Sequence, residues 1–405
     1  MKTYIFILIF MSNVLIGLSV NRKDNLSYVS TACSDTVIRA AGNDTMTALF
    51  RNTVSEAELY HCAKKIHKRI YSIDSHCDTP MFFPYGIDIG KRNPTFKVNP
   101  KDLGASENMY VNYDLKMDIP QMMDGMLDAT FMVAYLHQGA RDEKTSQKTV
   151  AKTESILKEV IRQVEKNQSI AGIARTTDDL KRLKGEGKKA IFLGIENGYG
   201  LGKDIRNVRK FAEMGVRYIT LSHNGDNDLC DAAVRSKQEH KGLSDFGKQV
   251  VREMNRLGMM VDISHTSEKT SFDVLKISAF PIIASHSSVK KLCNHPRNIS
   301  DKLMRAIADK GGVIQVCLYT GFLKKSGKAT VKDAVDHIDY IVKTVGIDHV
   351  GIGSDFDGGG ELVDCKSVSE FPQITMELLR RGYSEEAIAK IWGGNLMRVM
   401  EACVR

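Results

Sequence analysis

Residues 259–288 read MMVDISHTSEKTSFDVLKISAFPIIASHSS. Two apolar runs, Met259–Ile263 and Pro281–Ala284, each lead into a serine–histidine pair, Ser264-His265 and Ser285-His286. Between them, Ser271–Ile277 has the apolar spacing of one helical face. Strand, helix and strand in that order make a parallel pair joined by a right-handed crossover. Imidazole thus stands twice at one topological place, just past the C-terminal end of a strand.

The unit repeats in both directions. Apolar, β-rich runs occur at Ile70–Ile73, Ala129–Tyr135, Ala190–Ile195, Arg217–Leu221, Val313–Leu318 and Val350–Ile352. With the two above they make about eight strands. Helical spacing falls between them at Thr149–Lys166, Asn207–Met214, Asp245–Leu257, Lys302–Lys310 and Val331–Val345, and ahead of them at Ser55–Arg69. Near-continuous apolar strands fit a sheet covered on both faces. The repetition predicts an α/β fold, a (β/α)8 TIM-type barrel, with a doubly wound open sheet as the alternative. Residues 82–117 hold Gly, Pro, Asn and Lys without a steady period and read as a long insertion after the first strand.

The remaining sequence narrows the class. Lys+Arg 57 against Asp+Glu 49 leaves a net charge of +8, but the basic residues are scattered and leave no nucleic-acid footprint. Lys2, the apolar run Tyr4–Leu18 and the small residues Gly17 and Ser19 read as a signal peptide over residues 1–20, removed near Ser19. That run falls short of a membrane span, so no stable span is expected. Residues 21–52 read as a polar, poorly ordered lead-in, and 53–405 are expected to form the barrel domain that carries any site. The expected location is periplasmic or extracellular, with a lipid-anchored form at Cys33 as the weaker reading. The 8 cysteines show no metal-binding spacing and no readable pairing.

In a barrel, functional residues sit at the C-terminal strand ends. There the chain carries His76 and Asp78 after the first strand, and Glu196 after the third. His223 follows the fourth, His265 the fifth, His286 the sixth, and Asp355 the eighth. A single histidine at a strand end is ordinarily hydrogen-bonded structure, and an aspartate there is ordinarily a helix cap. Four of the chain's 11 histidines and three carboxylates at one end of the barrel exceed that explanation. Imidazole with carboxylate suits zinc or a similar divalent ion, and the inventory exceeds one catalytic site. Two metals sharing a carboxylate fit it better.

The segments Asp74-Ser75-His76-Cys77-Asp78-Thr79-Pro80, Asp118-Ile119-Pro120 and Gly215 through His223 resemble those of a known family. So do Gly242-Leu243-Ser244, Asp262-Ile263-Ser264-His265, Ser285-His286-Ser287-Ser288 and His295-Pro296-Arg297-Asn298, followed by Gly351 through Asp355 and Gly393-Gly394-Asn395-Leu396. The family is the membrane (renal-type) dipeptidases, binuclear zinc peptidases of the metal-dependent hydrolase superfamily, and the resemblance spans about residues 60–402. It implies one zinc on His76 and Asp78, a second on His265 and His286, and Glu196 bridging the pair together with a hydroxide. It further implies that His223 binds substrate and stabilises the oxyanion, that Asp355 orients the hydroxide and moves its proton, and that Arg297 grips the terminal carboxylate of a dipeptide. A homodimer is implied as well.

The chain departs from the family where Cys77 replaces an asparagine between the first two ligands. It departs again at Glu196-Asn197-Gly198-Tyr199, at Asn224-Gly225-Asp226-Asn227-Asp228 and at Cys317-Leu318-Tyr319. The stretch after His223 is closest in pattern to bacterial members. No ligand is lost, so a non-catalytic binding protein is the weakest reading. Another barrel amidohydrolase, acting on cyclic amides or acylated amino acids, is the stronger alternative. Such relatives often bridge their metals with a carbamylated lysine, and no lysine falls at a strand end here. Tyr135 and His137 are candidates to line the pocket, and His349 reads as structural. His61, His67, His240 and His337 read as surface. Sequons occur at Asn25, Asn43, Asn167 and Asn298, the last expected to be accidental.

Overall fold

The computed structural model describes residues 54–103 and 109–403. The expected signal peptide and lead-in, with Cys33, Asn25 and Asn43, lie outside them. The alternating runs become eight parallel strands: β1 (Ile73–Cys77), β2 (Ala129–Tyr135), β3 (Lys189–Glu196), β4 (Val216–Thr220), β5 (Met260–Asp262), β6 (Ile283–Ser287), β7 (Val313–Cys317) and β8 (Val350–Gly353). They pair in chain order, and a short strand, Ala171–Ile173, lies beside the start of β3. Except for Tyr135, Lys189 and Arg217, which are partly exposed, the barrel strands are buried throughout, which is why they read as continuous apolar runs.

Capping residues fix where the helices begin. Ser55 accepts from the Glu58 N–H, Ser244 from Gly247, Ser300 from Leu303 and Thr330 from Asp333, each meeting an otherwise unpaired first-turn donor. Helix Glu143–Lys166 packs through Leu157, Val160 and Val164. No helix among the described residues is long and apolar enough to cross a membrane.

The barrel closes between β1 and the residues just beyond β8. The Asp355 N–H donates to the His76 carbonyl at 3.1 Å, and the Asp78 N–H to the Phe356 carbonyl at 2.9 Å. Below this seam the buried Asp74 accepts from the Ser354 N–H at 2.7 Å and from its hydroxyl at 2.5 Å. Asp74→Ala would leave the Ser354 N–H buried and unpaired and its hydroxyl with only the longer contact to the His76 carbonyl at 3.3 Å, at a cost of roughly 1–3 kcal/mol. The expected result is a lower urea midpoint at unchanged slope. A shift below about 0.5 kcal/mol would show that closure does not depend on this pin.

The insertion is less irregular than its composition implies. It contains a two-stranded antiparallel hairpin, Phe96–Val98 with Val111–Tyr113. Phe82 stacks on Tyr113, and Asp357 accepts from the Tyr113 hydroxyl, the Lys116 N–H and the Thr79 hydroxyl. The hairpin is thereby fastened to the barrel mouth two residues from Asp355.

Two histidines expected at the surface are buried. His67 bonds Thr375 Oγ1 at 2.7 Å and the Met126 carbonyl at 3.3 Å, so its helix packs through a face that includes a polar ring. His337 accepts from the Val289 N–H at 2.9 Å and meets the Leu323 carbonyl at 3.2 Å. Helical spacing alone does not reveal such partners. The expectations for His349 and Asn298 agree with the contacts: His349 bonds the Gly312 carbonyl, and the buried Asn298 amide donates to the Cys293 and Phe322 carbonyls.

Candidate metal centre and active site

His76 lies inside β1 rather than after it, because the strand runs Ile73–Cys77 and not Ile70–Ile73. Likewise His286 lies inside β6, and Glu196 is the last residue of β3. All three side chains reach the same point at the barrel's C-terminal mouth. His76 Nε2 is 3.3 Å from Asp78 Oδ2 and 3.6 Å from Glu196 Oε2. The other Glu196 oxygen is 3.0 Å from His265 Nε2 and 3.4 Å from His286 Nε2. Those two imidazole nitrogens are 2.9 Å apart.

Each imidazole is fixed through its other nitrogen. Tyr218 donates its hydroxyl hydrogen to the Ser75 carbonyl at 3.0 Å, so at 2.8 Å from His76 Nδ1 it accepts. His265 Nδ1 is 3.1 Å from Asn224 Oδ1, an acceptor. His286 Nδ1 is 2.9 Å from the Ser285 hydroxyl, which gives its own hydrogen to Asp262 Oδ2 at 2.6 Å. With Nδ1 protonated, each ring presents a bare Nε2 lone pair to the same space. Three lone pairs facing carboxylates make no hydrogen bonds with one another. His76 Nε2 and Asp78 Oδ1 are accordingly buried without any hydrogen-bond partner. This donor set fits divalent cations and little else.

Glu196 is held well below the usual carboxylate range, its burial outweighed by His76, His265 and His286. Glu196 and Asp78 in turn hold His76 well above the usual imidazole range against its burial, so with no cation between them His76 carries the proton that a metal would displace. Burial pushes His265 and His286 far down, with Arg297 adding to the first and His76 to the second, so both are neutral and able to serve as ligands. Burial and the neighbouring Asp78 push Asp355 well up. The two carboxylates crowd together over Gly358, where a Cβ would collide with both. Asp355 (φ 62°) and His265 (φ 69°) are both held in the left-handed region, as is Asn197 (φ 79°) after Glu196. Such backbone costs about 1–3 kcal/mol per residue and gathers at functional sites.

His223 stands at the rim, its ring 4.2 Å from that of His265 between centroids and its Nδ1 3.4 Å from the Tyr135 hydroxyl. Burial holds it down at about 4, Arg297 adding to the depression against the pull of Glu196, so it is neutral at pH 7. Arg297 is buried at 4% exposure, donates to the His286 carbonyl at 3.2 Å and packs over Phe322. Its Nε has no partner. A buried guanidinium nitrogen left unpaired beside a metal site is a natural seat for an anionic group. Tyr135 and His137 do line a cavity, one of about 1200 Å3 between Pro80–Tyr85 and helix Glu143–Lys166. That cavity adjoins the ligand cluster without containing it, so the chemistry is assigned from the ligands and not from the larger space.

Residues 60–404 match the family described as membrane dipeptidase, peptidase family M19. The chain belongs to that family. Over 293 residues it is 35% identical to dipeptidase tcpJ of Claviceps purpurea, covering 70% of this chain and 68% of the relative. Over 350 residues it is 32% identical to an uncharacterized dipeptidase of Schizosaccharomyces pombe, covering 83% and 81%. The crystal structure of the probable dipeptidase PvdM from Pseudomonas aeruginosa superposes with a TM-score of 0.77 at 30% identity, covering 86% of this chain and 99% of that one. The barrel is thus that of a family M19 dipeptidase, and the protein is a metal-dependent dipeptidase.

The strand-end reading names the side chains that point into the centre, but not those that hold them in place. Tyr218 looks like one more core aromatic in the sequence, and Asn224 like a loop polar residue. The available signal is an interruption of pattern: Asp262, Ser264 and Ser285 are polar residues in or beside fully buried strands, where an apolar residue is the default.

Proposed function

We propose that this dipeptidase binds two zinc ions per chain, one on His76 and Asp78 and the other on His265 and His286, with Glu196 shared. The observation that carries this reading is the convergence of three Nε2 lone pairs on the two oxygens of one buried carboxylate. When bound, two such cations polarise the scissile carbonyl and lower the pKa of a water toward neutrality. Arg297 binds the free C-terminal carboxylate of the substrate, which sets the distance from that end to the scissile bond and limits the enzyme to dipeptides. His223, neutral at pH 7, donates a hydrogen bond to the developing oxyanion. Asp355 takes the proton of the attacking water and delivers it to the leaving amine.

Export through residues 1–20 and assembly as a homodimer belong to the same proposal. The disulfide carried by Cys62 supports export, since such bonds persist in oxidising compartments.

The direct test is amino-acid release from a panel of dipeptides, including ones with a D-residue second, before and after chelation and after zinc is restored. Cleavage that disappears with chelator and returns with zinc is the expected result. Its absence from folded, zinc-loaded protein would move the assignment to amides of another kind. Arg297→Ala is expected to raise KM about 10- to 100-fold for dipeptides, the worth of a charge-assisted hydrogen bond pair. C-terminally amidated dipeptides should show almost no further loss. Equal losses on both would remove Arg297 from the carboxylate.

A further inference from the structure

We propose that Asp262 is a positioning residue for the metal centre, acting through the Ser285 hydroxyl to fix the tautomer of His286. The inference rests on the two-metal reading above but concerns a residue that does not reach the centre. Asp262 closes β5 and is fully buried. Its Oδ1 accepts from two backbone donors, the Ser264 N–H at 3.0 Å and the Ser285 N–H at 2.9 Å. Its Oδ2 accepts from two hydroxyls, Thr220 at 2.5 Å and Ser285 at 2.6 Å. One carboxylate therefore joins β4, β5 and β6 with four hydrogen bonds. Ser264 extends the network, its hydroxyl accepting from the His286 N–H at 3.0 Å.

The consequence for His286 follows from counting hydrogens. A serine hydroxyl has one, and the 2.6 Å bond commits it to Asp262. The oxygen of Ser285 is then an acceptor toward His286 Nδ1 at 2.9 Å, so the imidazole proton resides on Nδ1. Nε2 is left bare toward Glu196, the only tautomer able to bind a metal there. The same arithmetic governs a carboxylate that orients a catalytic imidazole directly. Here a serine is interposed.

Asp262→Asn reverses the arithmetic at nearly constant volume. Its amide oxygen must stay on the two backbone N–H groups, which leaves the amide NH2 facing the two hydroxyls. Ser285 then accepts from Asn and turns its own hydrogen to His286 Nδ1. The ring proton moves to Nε2 and blocks the metal.

Zinc would be titrated into the apoprotein against a chromogenic chelator, with thermal unfolding of the apo forms measured in parallel. Loss of an outer-sphere partner typically weakens metal binding by about 10–100-fold. Asp262→Asn is expected to show that loss for one ion while the other binds as in wild type. Ser285→Ala should weaken the same ion, and Ser285→Thr should restore it. If the aspartate variant fails to fold, Ser285→Ala and its rescue decide alone. Wild-type affinity for both ions in folded Ser285→Ala, or in folded Asp262→Asn, would overturn the proposal. So would equal weakening of both ions in step with lower apo stability, the mark of a general structural role. Wild-type protein that binds a single ion would overturn the two-metal reading only, because each variant is compared with the affinity wild type shows.

Discussion

Glu196→Gln is expected to weaken both metals together and to cut kcat by about a thousandfold or more. A catalytic divalent ion supplies several kcal/mol of transition-state stabilisation, and each 1.4 kcal/mol is a factor of ten. The carboxylate lies 3.6 Å from His76 Nε2 on one side and 3.0 and 3.4 Å from His265 and His286 Nε2 on the other. It is the one anion shared by both halves of the ligand set. Glutamine keeps the shape and removes the charge, so the loss reports electrostatics and bridging rather than packing. Metal content per chain measured alongside turnover decides the point. Full occupancy with normal turnover would contradict the bridging role.

Asp355→Asn should separate from it cleanly. Here kcat is expected to fall by about 10²–10⁴, the usual worth of a positioned acid–base group, while both metals stay bound. Asp355 is buried, its carboxyl is pushed up by burial and by Asp78, and its backbone sits at φ 62° so that the side chain turns back over the mouth. The Cys317 thiol lies 3.5 Å from Oδ2 and donates to it. Burial and the nearby Asp355 push that thiol well up, so it keeps its hydrogen at neutral pH. The departure from the family at Cys317 therefore leaves Asp355 with a donor, though a weak one. If the asparagine variant instead lost metal, Asp355 would be a ligand and the proton transfer would have to be assigned elsewhere.

Those two outcomes together would divide the candidate site into residues that hold charge and residues that move a proton. Both kinds stand at strand ends that the sequence marks. His265 and His286 each follow an apolar run, and a strand rising toward the barrel mouth delivers its last residues to one place. Strand boundaries were less legible. Ile70–Ile73 reads as the first strand, yet the strand starts at Ile73, because Asp74 and Ser75 are polar and still fully buried. Their burial depends on partners more than 200 residues away: Ser354 for Asp74, the Ser285 carbonyl for Ser75. Local patterning carries no information about such partners. His67 and His337 read as surface residues for the same reason, since their partners Thr375 and Val289 are distant in the chain.

What the sequence determined by itself was the barrel, through the alternation of buried strands with capped helices, and the roster of side chains that meet at its mouth, through their recurrence at one topological position. Both are periodic properties of a linear pattern. Only the tertiary structure decided which nitrogen of each imidazole faces the centre. That choice is set by Tyr218, Asn224 and Ser285: the Asn224 amide oxygen can only accept, and the two hydroxyls accept because each commits its own hydrogen elsewhere. It also decided that His265 and Asp355 adopt left-handed backbone and that the mouth closes through Asp78 and Phe356. Directional bonds and strained dihedrals hold only when the surrounding elements are already in place, so they leave no local trace in the chain.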